Sequence, residues 1–132
     1  MDKALSMLGL AKKAGRLEAG EDAVGTAAER RQARLILLAA DAAENTARRA
    51  RSFADLGECL LAVVPATKRE LGGAVGRAES AMVALTDVGF ASAVTKKLAE
   101  ADAERYGALS EKMELKAKRA QERKQARRRR SK

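Results

Sequence analysis

Three short, unbroken apolar runs restrict what this chain can become: ARLILLAA at 33–40, CLLAVV at 59–64 and AMVALT at 81–86. Each is too short for most helices, each is bounded by charged or turn-forming residues, and none alternates apolar with polar. All three read as strands covered on both faces. Such strands need a layer on either side, and the intervening segments supply it. KALSMLGLAKKA at 3–14 places Leu5 or Ala4 with Leu8 and Ala11 on one helical face, ends in Lys12 and Lys13 and stops at Gly15. Asp41 to Thr46 offers caps for a helix running to about Leu56 and stopping at Gly57. Thr67 with Glu70 forms a capping box that opens a short helix into LGGAVG. From about Gly89 a further helix turns Phe90, Val94 and Leu98 inward and Lys96 and Lys97 outward. Helices alternate with strands, so the predicted fold class is α/β: a three-layer α/β/α sandwich on a mostly parallel, mixed sheet.

Charge divides the chain in two. Residues 1–100 hold 15 Lys and Arg against 13 Asp and Glu, whereas residues 101–132 hold 12 against 5, so the body is +2 and the end +7. Past Tyr106 and Gly107 the apolar residues thin to Leu109, Met113 and Leu115. The expected organisation is a domain at 1–104 followed by a basic tail at 105–132, helical or disordered, with too little apolar face to dock firmly. The closing KQARRRRSK, with Arg127, Arg128, Arg129 and Arg130, suits a polyanion, because each neutralised phosphate releases counterions. A solvated helical extension is the plainer alternative.

Several chemistries lose ground on composition alone. Without histidine the chain lacks the commonest general base and the commonest metal ligand. Cys59 is solitary, which rules out an internal disulfide, and its apolar neighbours mark a small buried hydrophobe in a strand. Gly72, Gly73 and Gly76 fall at the end of a short helix, whereas a phosphate-cradling loop sits between a strand and the next helix. No apolar run reaches 18 residues and no signal-peptide pattern opens the chain, so a cytoplasmic protein without membrane contact is expected. No enzyme, metal, cofactor or small-molecule substrate is predicted.

The stretch EAGEDAVGT at 18–26 admits two readings. In one, Gly20 turns the chain while Glu21 or Asp22 caps a helix at its positive end. In the other, this helix start faces RNA, its carboxylates accepting from base amino groups while Lys12, Lys13, Arg16, Arg30 and Arg31 hold phosphates.

The order of these motifs resembles the L-seven-Ae superfamily of ribosomal and ribonucleoprotein core proteins, and within it the bacterial YlxQ-type group. The likeness runs over about residues 3–100, from Gly20 through LILLAADA to Asn45, then PATKRELGGAVG and the AMVAL strand. It implies the α/β/α sandwich, no catalysis, and binding of structured RNA, above all kink-turns. Readers of kink-turns open the second helix with a glycine, then adjacent asparagine and glutamate, then a lysine one turn on. Gly20 matches the glycine, while Asp22, Ala23 and Thr26 stand at the other three positions. Asp22 keeps the size of Asn without a donor, Ala23 has no base-reading group, and Thr26 cannot neutralise a phosphate. Glu21 is the neighbouring candidate to take over reading. The family's second contact, a loop before the last core strand, is GRAES at 76–80, where Arg77 fills the place of an arginine and Glu79 opposes phosphate. Asp41 or Glu44 borders the same surface by the same likeness.

The resulting expectation is an RNA-associated, ribosome-linked protein held by Lys12, Lys13, Arg16, Gly20, Glu21, Asp22, Thr26, Arg30, Arg31, Arg77 and Arg127 to Arg130. Phe53, Phe90 and Tyr106 are all of its aromatic residues, which argues against base stacking on single strands. The alternative is an adaptor that has lost kink-turn reading and docks ribosome-assembly or translation-factor proteins. A third possibility, an enzyme on an α/β sheet, rests on fold class alone.

Overall fold

The computed structural model describes residues 1–130; Ser131 and Lys132, the end of the expected tail, lie outside the described residues. The elements follow the order α1 (Asp2–Lys13), β1 (Leu17–Ala19), α2 (Glu21–Glu29), β2 (Leu35–Leu38), α3 (Glu44–Gly57), β3 (Leu60–Val63), α4 (Lys68–Ala74), β4 (Met82–Leu85), α5 (Val88–Ala101) and α6 (Ala103–Arg130). The three apolar runs become β2, β3 and β4 and the sandwich forms, but only β2 and β4 are covered on both faces as expected; β3 is the edge strand, half-buried with Val63 exposed, because among the described residues no strand pairs with its outer side.

Side chains of the central strands divide between two cores in strict alternation. Leu35 and Leu37 with Val83 and Leu85 face α1, α4, α5 and α6, whereas Ile36 and Leu38 with Met82 and Ala84 face α2 and α3. A period of two with both faces covered is what an unbroken apolar run produces. The sheet order is β1-β4-β2-β3. Here the expectation of mostly parallel pairing needs correction, because β4 runs antiparallel to both β1 and β2 and only β2 with β3 is parallel. Burial on both faces fixes apolar content but leaves strand direction open. The three-residue β1, with Leu17 and Ala19 buried around an exposed Glu18, also escapes a reading based on apolar runs.

The sheet therefore has two ends. At the upper end β1, β2 and β3 finish and β4 begins, which gathers Gly20, Asp41, Thr67 and Ser80; at the lower end Arg16, Arg34, Cys59 and Thr86 gather. Caps tie the upper end together. Thr67 and Glu70 form the expected capping box. Asp41 does not cap α3, whose N-cap is Ala43 with no side-chain bond; its Oδ1 instead accepts from the Lys68 backbone N–H of α4 at 2.7 Å.

The second correction concerns the tail. α6 is a 28-residue helix whose first half is packed along α5, with Tyr106 and Met113 buried and Leu109 partly so. These three recur at helical spacing, and because only Asp102 separates α5 from α6, the short apolar stripe meets its partner with little loop entropy to lose. The Tyr106 hydroxyl donates to the Val63 carbonyl at 2.7 Å, which fixes the start of α6 at the upper end. From there it runs down and beyond the lower end, since it is twice as long as the 14-residue α5. No described helix is long and apolar enough to cross a membrane.

Candidate nucleic-acid interface

Two loops far apart in sequence meet at the upper end. β1 stops at Ala19, and Gly20 turns the chain into α2 at φ +91°, a conformation that side chains other than glycine's rarely adopt. Opposite it, α4 ends near Gly76 and the chain folds back over α4 toward β4. Gly72 makes that return possible: a Cβ there would stand 2.5 Å from Glu79 Cα and 2.9 Å from the Arg77 carbonyl oxygen. The Gly72 carbonyl accepts from the Arg77 backbone N–H at 2.8 Å. The loop so held lays the Arg77 guanidinium against Gly20, and its Nη1 donates to the Ala19 carbonyl at 3.3 Å. Ala19, Gly20, Glu21, Asp22, Ala23 and Arg77 together line an open depression of about 310 Å³.

The helix start beneath this depression has no side-chain cap. Its N-cap is Gly20, so neither Glu21 nor Asp22 caps α2 as the plainer sequence reading had it; both lie in the first turn, where their charges favour the positive end of the helix. Glu21 is committed elsewhere, with Oε1 2.6 Å from Arg49 Nη1 on α3. That hydrogen bond, and then the carboxylate's charge, raise the Arg49 pKa further above its ordinary value. Thr26 turns inward to its own helix, donating from Oγ1 to the Asp22 carbonyl at 3.1 Å. Asp22 remains exposed at the mouth.

The other cations named from sequence divide between the two ends. Lys12 and Lys13 end α1 beside Arg16, whose backbone N–H donates to the Ala11 carbonyl at 2.8 Å, and they border a depression shared with Ala74, Val75 and Gly76, directly before Arg77. Arg16 belongs to the lower end, where it lines a hollow with Gln32, Arg34 and Thr86. Arg30 and Arg31 follow the far end of α2, about 14 Å of helix from Gly20. Arg31 pairs with Glu58 at 2.8 Å. Arg127 to Arg130 end α6 at and beyond the lower end. They do not meet the Gly20 loop.

Sequence reasoning missed a second cationic surface. Arg34, Lys116, Arg119, Arg123 and Arg127 line a groove of about 510 Å³ between the lower sheet end and α6. Positions 116, 119, 123 and 127 repeat at intervals of three and four, so a helical projection of the tail puts them on one face. Cys59 lies in the same groove one residue before β3, half-buried, with burial pushing its thiol pKa up and Lys116 and Arg34 pulling it down. Among the described residues no group of three or more Cys, Asp or Glu side chains is gathered to hold a metal ion.

Residues 2–95 match the ribosomal protein L7Ae/L30e/S12e/Gadd45 family. The chain is 37% identical over 90 residues to the RNA-binding protein YlxQ of Bacillus subtilis, covering 65% of this chain and 85% of that protein. Among solved structures it resembles a protein of unknown function from Bacillus halodurans C, with a TM-score of 0.66 and 30% identity over 73% of this chain and 96% of the other. A family match across most of the sandwich, with a relative of the same scale on either comparison, makes this chain a YlxQ-like member of the L7Ae/L30e/S12e/Gadd45 family.

Proposed function

We propose that this chain binds structured RNA without catalysing a reaction, that its upper surface of Gly20, Asp22 and Arg77 makes the contact with Lys12 and Lys13 alongside the loop that carries Arg77, and that it works in association with the ribosome in the cytoplasm. The observation that carries the reading is the convergence of the Arg77 guanidinium on Gly20 above an uncapped helix start. Open backbone N–H groups at a helix N-terminus and a guanidinium beside them suit phosphate oxygens. Asp22 at the rim suits base amino groups. Family membership and the name of the Bacillus subtilis relative support the same reading. The cations of the lower end add phosphate contacts that are indifferent to sequence.

Specific kink-turn reading has weaker support. Glu21 is held by Arg49 and Thr26 by its own backbone, so neither is poised to replace the residues absent at positions 23 and 26. That geometry favours, as a second reading, an adaptor that docks proteins of ribosome assembly or translation.

The test is binding of the full chain and Arg77→Ala to a labelled kink-turn RNA and to a plain duplex of equal length across a salt series. RNA binding that falls steeply with salt and is weakened by Arg77→Ala is the expected result. Absence of RNA binding at moderate salt would overturn the reading, and protein partners that survive nuclease treatment would establish the adaptor.

A further inference from the structure

From the two-ended distribution of cations we infer that the lower groove is a second RNA backbone site and that one chain bridges two RNA segments, one at each end of the sheet. The inference rests on the RNA-binding reading above and adds a site with residues of its own.

The groove is built from four parts of the chain. Arg34 enters β2 at the lower end, where its backbone N–H donates to the Leu85 carbonyl at 2.7 Å. Lys116, Arg119 and Arg123 come from α6, held in place through Tyr106 and Met113. The groove's own acids are already engaged. Glu58 pairs with Arg31 at 2.8 Å, and Asp87 accepts from the Phe90 backbone N–H at 2.9 Å as the cap of α5. Among the described residues no ion pair or side-chain hydrogen bond occupies Arg34, Lys116, Arg119 or Arg123. Four cations thus line one concave surface with their local acids answered elsewhere. From Lys116 to Arg123 they extend about 10 Å along the helix, a reach suited to successive phosphates of one strand.

An RNA segment running along β1 from one site to the other meets an obstacle. The sheet separates the two ends by about 13 Å of strand. Along the β1 edge between Arg16 and Gly20 the exposed residue is Glu18, whose carboxylate repels a phosphate backbone. The two contacts differ in kind, the upper one shaped by loops and the lower one set by charge.

Two short RNA duplexes, one carrying a donor dye and the other an acceptor, report bridging by energy transfer when mixed with the full chain at low salt. Transfer should rise with added protein, pass through a maximum and fall once each duplex has its own chain. The triple variant Lys116→Gln, Arg119→Gln, Arg123→Gln, all at exposed positions, should keep its helical signal, still bind one duplex and abolish transfer. Its log–log salt dependence should become shallower by about 2 to 3. Arg77→Gln should abolish transfer from the other end. Transfer and salt slope unchanged in the triple variant would overturn the second site, as would a full chain that binds one duplex at every ratio. If the full chain binds no RNA, the functional reading falls and the inference with it.

Discussion

At φ +91° and ψ 159°, Gly20 holds backbone that is essentially reserved for glycine, and a Cβ there would also come within 3.2 Å of the Arg77 guanidinium. Gly20→Ala should therefore lose about 1–3 kcal/mol of stability from backbone strain alone. The guanidinium is the flexible tip of its side chain and would move aside, so RNA affinity should fall together with the melting temperature. Gly72→Ala meets backbone instead: Glu79 Cα and N and the Arg77 carbonyl must shift. A loss of about 1–3 kcal/mol in denaturant unfolding is expected, with weaker RNA binding because the loop carrying Arg77 is displaced. Ala23 lines the upper depression and Thr26 is exposed one turn on, so both positions accept longer side chains without disturbing the core. If the absent residues are what separates this surface from kink-turn readers, Ala23→Glu with Thr26→Lys should raise the preference for a kink-turn over a duplex about tenfold, equivalent to about 1.4 kcal/mol. Comparative titration of the two RNAs checks it, and an unchanged ratio would mean that the loop's shape, rather than these two side chains, limits recognition.

The start of α6 is tied to β3 at the Val63 carbonyl, which accepts from the Tyr106 hydroxyl and, at 3.3 Å, from Arg105 Nη2. Tyr106 donates to the Val63 carbonyl at 2.7 Å, and burial pushes its pKa up while Arg105, 5.1 Å over the ring, pulls it down. A raised folded pKa means that the neutral form is the one the fold prefers. Its contribution is then complete below the ordinary tyrosine value of about 10 and is lost as pH rises through the higher folded value. Tyr106 is the sole tyrosine, so absorbance titration reads it directly; a midpoint above the ordinary value, with stability declining over the same window, is expected. A midpoint at the ordinary value would show that the hydroxyl is not held in the fold. The elements themselves were uneven to read from sequence. β2 and β4 announce themselves because both of their faces are buried, and the capping box of Thr67 and Glu70 is local enough to see. β1 is three residues whose pairing depends on β4, more than 60 positions away in the register Leu17 to Leu85. The docking of α6 rests on Tyr106, Leu109 and Met113 finding α5, a tertiary contact that a count of apolar residues understates. Gly20 and Arg77 were each legible as candidates, whereas the pairing of Glu21 with Arg49 crosses from α2 to α3 and leaves no local mark.

Over the whole molecule, α6 joins two functions that composition had assigned to one basic tail. Its first half completes the core and its second half carries cations past the lower end of the sheet. The two can be separated experimentally because they respond to different changes. Ending the chain before Ala103 removes Tyr106 and Met113 from the core and uncovers the face of α5 on which they pack. At about 1.5–3 kcal/mol for each large buried side chain, the loss should be at least about 3 kcal/mol. A shortened chain should melt earlier and bind a dye that reports exposed apolar surface. Neutralising Arg128, Arg129 and Arg130 to glutamine touches only exposed positions, so the melting temperature should stay put while the salt slope of RNA binding flattens. If both changes lower stability equally, the outer half of α6 contributes to the fold; if the shortened chain melts like the full one, the packing of α6 on α5 is not what holds the sandwich. The distinction governs how RNA contacts at the lower end should be mapped, since loss of binding on truncation would mix unfolding with lost charge and charge substitution in the full chain does not.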